Sequence, residues 1–379
     1  MRKVETMLIL SRVAHYEHAG RLYAYTPYAR EIDIWADLFP RIAIAGTLRR
    51  EPPPGDCSEF TRDNIAVWPV ADPGSRRLAQ LWSLPRQLWQ LCRHMLRADA
   101  IHVRCPADLG LLGVLLAPLF SRRLYAKYAT QWTSFAGESW VWRLQRAVLG
   151  SHWWRGPVTV YGAWPDQPRH VVPFFTSVLT DAQVDRARIA AQARVSGPGP
   201  LRLLFVGRLS KSKNVDVVLA AMAATQLNGQ LTCTIVGDGS QRAALEAQAA
   251  RLGCNGRVRF TGGVSFERVL EFYEQADVLV LVSELEGWPK AIAEGMAFGL
   301  VCIGANRGLV PQMLAGGRGL VVEPGDVAGL AGALRYVATH REECSQMAQR
   351  AALWAQRYSL EGLRTSLREL LTQHWSERE

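Results

Sequence analysis

Short apolar runs alternate with longer amphipathic stretches along the second half of the chain. The run LRLLFVG at 201–207 predicts a buried strand, and the amphipathic segment VDVVLAAMAAT follows it. The same alternation continues through LTCTIVGDG, RVRFTGG, DVLVLVS, LVCIGA and GLVVEPG. This pattern predicts a doubly wound parallel sheet, in which ligands bind beyond the carboxyl ends of the strands. Gly207, Gly237, Gly262 and the loop 284–290 would all lie at that edge.

The first half shows a weaker form of the same pattern. Its apolar runs MLILS, RIAIAG, AIHVRC, RLYAKYA and PVTVYG predict strands of a similar sheet. Between the halves, VSGPGP at 195–200 breaks both helix and strand and predicts a linker. The expected fold class is therefore α/β, with two Rossmann-like doubly wound domains, 1–195 and 196–355, facing each other across a cleft. A helical segment, 356–379, completes the chain.

The charge of the protein is concentrated in its first half. The 379 residues are 49% apolar and have a net charge of +10. Residues 1–200 contain 25 Lys and Arg against 16 Asp and Glu, whereas residues 201–379 contain 19 against 18. An acidic partner is therefore expected to bind the first half, and an anionic membrane surface or an anionic acceptor would fit. No aromatic-basic strand motif or helix-turn-helix pattern is present, so nucleic acid is not an expected partner.

The cysteine spacing and the apolar runs limit the cellular location. Seven dispersed cysteines without a C-x-x-C pair indicate neither a disulfide framework nor a zinc site. The N-terminal apolar run is too short for the core of a signal peptide. The longest apolar stretch, 109–120, is shorter than the ~20 residues of a membrane-spanning helix. These features predict a cytoplasmic protein, with peripheral binding at the inner face of the cell membrane as the alternative to a fully soluble one.

Residues 76–97 predict an amphipathic helix. One face would bear the apolar side chains Leu78, Leu81, Trp82, Leu88, Trp89, Cys92, Met95 and Leu96. The other would bear Arg76, Arg77, Arg86, Arg93 and Arg97. Such a helix suits an anionic membrane surface, and it would equally suit a sheet-covering helix kept soluble by arginine. The tryptophans at 140, 142, 153 and 154, near further arginines, fit a second contact patch, stacking on acceptor sugars, or core packing.

Two glutamates flank a predicted helix start in LEGWPKAIAEGM, residues 285–296. Pro289 suits the first position of that helix, because proline lacks the N–H that would have no partner there. The other N–H groups of the helix tip can bind a phosphate. Glu294 lies five residues beyond Pro289, about 7.5 Å further along the helix axis, and suits a ribose hydroxyl. Glu286, before the helix, would face the group beyond the phosphates. The alternative is a structural helix with ordinary capping acids.

Two carboxylates beside a diphosphate would repel it unless cations compensate. Arg208 and Lys213 in GRLSKSKN follow the predicted strand 201–207. Arginine binds phosphate oxygens in a bidentate manner, and lysine adds a compact charge. The chain contains no Asp-x-Asp motif, so no metal is expected. The charge of a leaving group would then be balanced by Arg208, Lys213 and the helix dipole.

Several motifs in order resemble the donor half of a known enzyme family. They are FVGRLSKSKNVDVVLAA, IVGDGSQRAALEAQAARLG, the segment from VRFTGG to AEGMAFG with its E-x7-E pair, and GGRGLVVEPGD, spanning about 201–335. The chain is similar to GT-B retaining glycosyltransferases of family 4, glycosyl transferases group 1, of the type that assembles polysaccharides and glycolipids. The resemblance implies transfer of a sugar from a UDP- or GDP-linked donor, with retention of the anomeric configuration and without a metal. The acceptor would be a lipid-linked, polysaccharide or oligosaccharide molecule in cell-surface glycan biosynthesis.

The resemblance also implies roles for individual residues. Arg208 and Lys213 would bind the diphosphate and stabilise the leaving group, and Glu286 would contact the donor sugar; these three are the expected catalytic residues. Glu294 would bind the ribose. Further donor-binding positions would be Gly207, Gly237, Gly262, Val264, Gly287, Trp288, Pro289 and Lys290, with 287–290 acting through the backbone and 262–264 near the base. The C-terminal helical segment would cross back onto the first domain.

The first half departs from the family pattern. A lone Gly20 follows the first strand where many members have a Gly-Gly pair, and Thr130 and Gln131 occupy the place of a histidine that contacts the donor sugar. His15 and His18 could serve the acceptor, although loop histidines are mostly surface residues. One alternative is a catalytically inactive GT-B-like scaffold or partner protein. Another is a dinucleotide-binding dehydrogenase, suggested by VGDGSQR, in which Arg242 replaces the third glycine.

Overall fold

The computed structural model describes residues 4–71, 77–135, 137–194, 199–227, 230–254 and 256–376, with the backbone alone for 77–82. The chain divides into two compact units: unit 1 comprises Met1–Val178 and Leu360–Glu379, and unit 2 comprises Leu179–Ser359. The chain passes from unit 1 to unit 2 after Val178, ahead of the predicted boundary at 195. The reason is that the helix Asp181–Gln192 packs on helices of unit 2. Of the predicted linker, residues 195–198 lie outside the described residues.

Unit 1 is built around a parallel sheet with helices on both faces. Its strands are β1 (Thr6–Leu10), β2 (His15–His18), β3 (Arg21–Tyr25), β4 (Arg41–Gly46), β5 (Leu48–Arg49), β6 (Cys57–Glu59), β7 (Ile65–Pro69), β8 (Ala100–Cys105), β9 (Arg123–Tyr128), β10 (Val158–Tyr161) and β11 (Val171–Phe174). Its first four helices are α1 (Thr26–Ala36), α2 (Arg77–Met95), α3 (Asp108–Phe120) and α4 (Trp140–Gly150). The large sheet has the order β11-β10-β9-β8-β1-β4-β7. Along the chain, β4 and β7 are added on one side of β1 and the strands from β8 to β11 on the other, so the strand order reverses between β1 and β8.

The segment after β1 is not the loop that the sequence indicated. β2 and β3 form an antiparallel hairpin, which pairs with β5 and β6 in a second sheet of order β5-β2-β3-β6. The hairpin turns at Ala19 and Gly20, whose φ angles are 51° and 74°. Glycine adopts this left-handed conformation without steric cost, which explains the lone Gly20 at this position.

Unit 2 contains a second parallel sheet with helices on both faces. Its strands are β12 (Leu201–Val206), β13 (Leu231–Val236), β14 (Val258–Gly262), β15 (Val278–Leu281), β16 (Val301–Ala305) and β17 (Leu320–Val322). Its helices are α5 (Asp181–Gln192), α6 (Val215–Ala224), α7 (Arg242–Arg251), α8 (Phe266–Gln275), α9 (Lys290–Ala297), α10 (Val310–Leu314), α11 (Val327–Thr339) and α12 (Arg341–Ala355). The order β14-β13-β12-β15-β16-β17 reverses between β12 and β15. Ligands of doubly wound sheets bind beyond the carboxyl ends at such a reversal.

The last helix, α13 (Leu360–Ser376), belongs to the core of unit 1. Its buried leucines, including Leu363, Leu367 and Leu370, pack in one cluster with Ile32 and Trp35 of α1. The leucines recur at three- and four-residue spacing, so one stripe of the helix is apolar and is removed from water by that contact. The helices α2, α3 and α4 cover the other face of the same sheet.

Candidate functional site

The reversal in the sheet of unit 2 brings together two of the charged residues singled out from the sequence. Lys213 follows β12, and Glu286 follows β15, the neighbouring strand. Lys213 Nζ donates to Glu286 Oε1 at 2.5 Å. The two side chains keep 25% and 11% of their exposure, so the pair is accessible to a ligand from solvent. Arg208, two residues beyond β12, is exposed at the same end of the strand.

A buried asparagine ties the two loops together. Asn214 has φ 51°, a left-handed conformation that asparagine tolerates better than most residues. Its amide donates to the carbonyl oxygen of Val282 at 3.1 Å and to Oε1 of Glu284 at 2.8 Å. The backbone N–H of Glu284 donates in turn to the carbonyl of Ser212 at 2.9 Å. These contacts fix the position of Lys213, although Asn214 was not among the residues selected from the sequence.

The three predicted strand-end glycines lie against one another. The Gly207 N–H donates to the Val236 carbonyl and the Gly237 N–H to the Gly262 carbonyl, both at 3.0 Å. A methyl group at Gly237, where φ is 134°, would overlap the carbonyl of Gly207. The carboxyl ends of β12 and β13 therefore approach so closely that position 237 requires glycine. Val264 is half-buried in the loop that follows β14.

The loop that contains Glu286 packs against the residues that follow the neighbouring strand, β16. Gly308, with φ 55°, follows β16, and a methyl group there would overlap the carbonyl oxygen of Glu286. The loop, including Gly287, leads into α9, which begins at Lys290 with Pro289 as its N-cap residue. Pro289 thus precedes the first helical position that the sequence analysis gave it. The N–H groups of the first turn of α9 follow directly after Glu286 and its neighbours.

Trp288 is part of the core of unit 2. Its side chain is 8% exposed and stacks on Trp354, with ring centroids 6.2 Å apart, and meets the edge of Tyr358 at 5.5 Å. The indole therefore anchors the loop 286–290 onto the end of α12. The predicted contact of its backbone with a donor stays a prediction.

The second glutamate of the pair has a tyrosine as a partner. Glu294, the fifth residue of α9, is 7% exposed, and Tyr273 of α8 donates its hydroxyl to Glu294 Oε2 at 2.8 Å. Burial, followed by the nearby Glu294 charge, raises the pKa of Tyr273 well above its ordinary value, so the phenol stays a donor. Tyr273 was missed in the sequence because it lies 21 residues away on another helix.

Arg242 begins α7 and ion-pairs on the surface. It contacts Asp238 at 3.0 Å and Glu246 at 2.9 Å. A dinucleotide-binding fingerprint requires glycine here for close packing of helix and strand. The arginine therefore argues against a dehydrogenase.

The histidines of unit 1 differ sharply from each other. His15 is fully buried, with Nε2 3.1 Å from the Tyr28 hydroxyl and Nδ1 3.2 Å from the Thr47 carbonyl. Burial lowers its pKa to about 4, so the ring is neutral at neutral pH. It is therefore not the surface residue that loop histidines usually are, whereas His18 is exposed at the end of β2.

Thr130 and Gln131, at the place where the resemblance implied a histidine, follow β9. The Thr130 side chain is buried, and its hydroxyl has no hydrogen-bond partner among the described residues. Gln131 is half-buried and donates to the Thr133 carbonyl at 3.4 Å.

The helix α2 has a different orientation from the one predicted. Leu91 and Met95 are buried, while Trp89 is 61% and Leu96 74% exposed on the same side as Arg93. Arg93 lies over the Trp89 ring, 5.3 Å from its centroid. The predicted separation into an apolar and a basic face is thus wrong, because the outward face combines both. Arg76 and the side chains of 77–82 lie outside the described residues.

The described ranges contain neither a metal-binding cluster nor a membrane-spanning helix. Over those ranges no three His, Cys, Asp or Glu side chains are grouped so as to hold a metal ion. No helix within the described part of the chain is long and apolar enough to cross a membrane.

A groove of about 1510 Å³ in unit 2 is not lined by Arg208, Lys213 or Glu286. It is lined by α5, by α12 and by Leu201 and Val301 at the amino ends of β12 and β16. Arg194 and Gly199, which flank the undescribed 195–198, also border it. Parallel sheets bind ligands at the opposite edge, so cavity size does not identify the site here.

Sequence comparison places the similarity in unit 2. Residues 189–354 match the family Glycosyl transferases group 1. A glycogen synthase from Mycobacterium tuberculosis (strain CDC 1551 / Oshkosh) is 35% identical over 156 residues, which are 41% of this chain and 38% of the relative. A D-inositol 3-phosphate glycosyltransferase from Streptomyces avermitilis is 34% identical over 181 residues, 45% and 39% of the two chains. The chain thus spans about two-fifths of the length of these curated relatives.

Structural comparison extends the similarity to the whole chain. Anabaena Alr3699/HepE in complex with UDP and glucose has a TM-score of 0.67 at 17% identity, covering 97% of this chain and 99% of that one. Sucrose-phosphate synthase from Thermosynechococcus elongatus has a TM-score of 0.71 at 18% identity, covering 98% and 100%. WaaG, a glycosyltransferase involved in lipopolysaccharide biosynthesis, has a TM-score of 0.64 at 16% identity, covering 97% and 99%. At these identities the likeness establishes the fold.

Proposed function

The chain has the GT-B fold and its residues 189–354 are of the glycosyl transferases group 1 type, and on this premise we propose that it transfers a sugar from a nucleotide-sugar donor. The observation on which the proposal rests is the Lys213–Glu286 pair at the reversal of the unit 2 sheet. A cation, a carboxylate and the first turn of α9 all follow the two strands that flank this reversal. A diphosphate with a sugar on one side and a nucleoside on the other requires this combination of groups.

The residues then have separate tasks. Lys213 and Arg208 neutralise the diphosphate as it gains charge on departure, and electrostatic stabilisation of this kind is usually the largest single contribution to catalysis. The N–H groups at the start of α9 add partial positive charge. Glu286 accepts from a hydroxyl of the donor sugar while it keeps Lys213 oriented. Glu294, held by Tyr273, binds the ribose.

The donor is proposed to be linked to UDP, with GDP as the alternative. The support is that Alr3699/HepE, with the same fold, is described in complex with UDP and with UDP-glucose. We also propose that the anomeric configuration is retained and that no metal is needed. Product NMR would assign the anomer, and activity that persists in EDTA would support the metal-independent part.

The acceptor is proposed to be a lipid-linked glycan or an oligosaccharide at the inner membrane surface. The support is a surface of unit 1 formed by α2, α3 and α4, in which α3 contacts both neighbours. We call it the α2–α4 surface. Its exposed large apolar side chains are Leu84, Trp89, Leu96, Leu115, Leu119, Trp140, Leu144 and Trp153. WaaG, of the same fold, is described as acting in lipopolysaccharide biosynthesis.

The charge of the α2–α4 surface matches an anionic membrane. Residues 77–155 contain 11 Lys and Arg against 3 Asp and Glu, and of these Lys127 is buried and Arg104 mostly buried, so neither belongs to the surface. Its exposed arginines are Arg86, Arg93, Arg97, Arg122, Arg143 and Arg155. Exposed tryptophan and leucine among arginines is the composition of helices that lie in a membrane interface, where each basic residue near an anionic surface contributes about 1 kcal/mol.

Thermal-shift measurements with UDP, GDP and their common sugar conjugates test the proposal. We expect one nucleotide class to raise the melting temperature, and Glu294→Ala to lose most of that rise. No rise with any of them would overturn the proposal. A nucleotide that binds without any release of its sugar, with or without acceptor, would instead support the catalytically inactive scaffold.

A further inference from the structure

Unit 1 contains a buried cluster of three charged residues, contributed by one helix and two strands. Glu31 of α1 accepts from Arg104 Nη1 at 2.6 Å and from Lys127 Nζ at 2.7 Å. Arg104 and Lys127 are register partners on β8 and β9, so their side chains emerge side by side. The Glu31 and Lys127 side chains are 6% exposed, and Arg104 keeps 17%. We call these residues the Glu31 cluster.

The Glu31 cluster has one more cation than anion. Burial alone would raise the pKa of Glu31, but the adjacent Arg104 and Lys127 charges outweigh it and hold that pKa far below its ordinary value. Burial lowers the pKa of Lys127 to about 8, against the opposing effect of Glu31, so the ammonium stays mostly charged near pH 7. Among the neighbours, His15 is neutral, and burial raises the pKa of Tyr28 to about 12.

The surplus charge is costly where it lies. Removing an ion from water is strongly unfavourable unless partners compensate for the lost hydration. One carboxylate compensates two cations only in part. Cation–π contacts add a little, since the Arg104 guanidinium lies 5.0 Å from the Tyr28 ring centroid and Lys127 Nζ 5.3 Å from that of Tyr161. A second anion would complete the balance.

The cluster also lies where a ligand is expected. Arg104 and Lys127 are the penultimate residues of β8 and β9, at the carboxyl edge of the sheet. The order of that sheet reverses between β1 and β8, the position beyond which doubly wound sheets bind ligands. Thr130 follows β9 at the same edge, with its buried hydroxyl unpartnered within the described ranges.

We propose that the Glu31 cluster is a binding site for an oxyanion, a phosphate or carboxylate group on the acceptor. A guanidinium has five N–H donors and an ammonium has three, so each cation can bind an oxyanion while it still donates to Glu31. Glu31 holds both cations in place before the ligand arrives. Naming the ligand as the acceptor rests on the proposed glycosyltransferase function, whereas oxyanion binding itself does not.

Thermal-shift titration with inorganic phosphate, with acetate, and with chloride at equal ionic strength tests the proposal. We expect phosphate or acetate to raise the melting temperature of the wild type above its value in chloride. A rise with phosphate would identify a phosphate site, and a rise with acetate a carboxylate site. Arg104→Gln should lose most of that rise. Arg122→Gln, altered at an exposed position, should keep it. An equal rise in all three proteins, or none above chloride, would overturn the site.

Two further measurements separate this site from a purely structural ion cluster and from the proposed function. Arg104→Lys keeps the charge but loses the bidentate geometry, and we expect it to weaken phosphate binding about tenfold, whether or not Arg104→Gln folds. Once transfer is assayed, Arg104→Lys should raise KM for an anionic acceptor and leave KM for the donor unchanged. A phosphate affinity equal to that of the wild type would contradict the proposal. Absence of transfer would remove the proposed function but leave the phosphate result standing.

Discussion

The Lys213 ammonium lies 2.5 Å from the Glu286 carboxylate, although the two residues are 73 positions apart in the chain. The pair joins the loops after two neighbouring strands of the unit 2 sheet. Glu286 is thus paired with the cation that a diphosphate would require. The proposed donor would have to share Lys213 with this carboxylate, and the relationship can be tested by altering either residue.

Removing either cation should abolish transfer without unfolding the protein. We expect Lys213→Ala or Arg208→Ala to lower kcat by about 10²- to 10³-fold, because charge on the leaving group is no longer balanced. The melting temperature should change little, since a partly exposed ion pair contributes about 0–1 kcal/mol. Lys211→Ala, at an exposed position in the single-turn 3₁₀ helix Lys211–Lys213, is the matched control. Near-normal rates in both variants would refute their assigned roles.

Neutralising Glu286 should separate binding from catalysis. In Glu286→Gln, Lys213 no longer has an anionic partner, so we expect UDP to bind several-fold more tightly by calorimetry. The same variant should have a lower kcat, because the donor sugar loses the carboxylate that accepts a hydrogen bond from its hydroxyl. If UDP bound more weakly to Glu286→Gln than to the wild type, the pair would not compete with the diphosphate.

The ribose assignment of Glu294 can be measured with an altered nucleotide. We expect the wild type to bind UDP about tenfold or more tightly than 2′,3′-dideoxy-UDP, and Glu294→Ala to bind both equally, because the hydroxyl contacts are gone. Tyr273→Phe should show a smaller loss of discrimination and a stability cost of about 1 kcal/mol, as for one hydrogen bond. Unchanged discrimination in Glu294→Ala would place the ribose elsewhere.

The close approach of Gly308 to the Glu286 loop makes a further prediction. A side chain at Gly308 must displace the Glu286 carbonyl. We expect Gly308→Ala to lower kcat/KM at least tenfold and to lower the urea midpoint. Gly325→Ala is the control, because Gly325 has a similar φ of 76° but open space around it, so it shows the backbone cost of about 1–2 kcal/mol alone. Equal effects in both would mean that the overlap is relieved at no cost.

Binding of the α2–α4 surface to membranes can be measured by liposome flotation. We expect the protein to float with vesicles that contain anionic lipid and to stay behind with neutral ones. Trp89→Ser with Leu96→Ser should weaken flotation, and so should replacing Arg86, Arg93 and Arg97 by Gln. A matched control is Ile189→Ser with Leu353→Ser in unit 2, whose side chains are 68% and 72% exposed. Flotation that is the same in all of these proteins would exclude the surface.

Acid should destabilise unit 1 through its buried histidine. Burial lowers the pKa of His15 to about 4, whereas the unfolded side chain titrates near 6.5. The unfolded state therefore binds more protons between these values, and the free energy of unfolding should fall as the pH drops, by about 2 kcal/mol from pH 7 to 5. His102, also buried with a lowered pKa, acts in the same direction.

The measurement is the urea midpoint of unit 1 at pH 7 and at pH 5, monitored by amide hydrogen exchange in β1. His15→Gln cannot titrate, so its midpoint should fall less over this interval even if the variant is less stable at pH 7. An equal fall in both proteins would assign the acid sensitivity to other groups.

The sequence determined most of unit 2. The runs that form β12, β13, β15 and β16 are short, apolar and largely buried, so their strand character follows from local composition. Because parallel strands end at one edge, the positions of Arg208, Lys213 and Glu286 after β12 and β15 already placed them at a common edge. Unit 1 was less predictable. β2 reads HYEH and is mostly polar, and β11 contains Pro173, which is tolerated because that strand is at the edge of its sheet.

Only the tertiary structure decided which residues touch. Lys213 meets Glu286, Tyr273 meets Glu294, and Glu31 meets both Arg104 and Lys127, across separations that no local pattern encodes. Trp89 faces outward although it is apolar, because the packing of α2 on α3 and the sheet set the rotation of the helix. Periodicity specifies how much of an element is apolar, but the strand order and the packing of neighbours determine which partner each side chain meets.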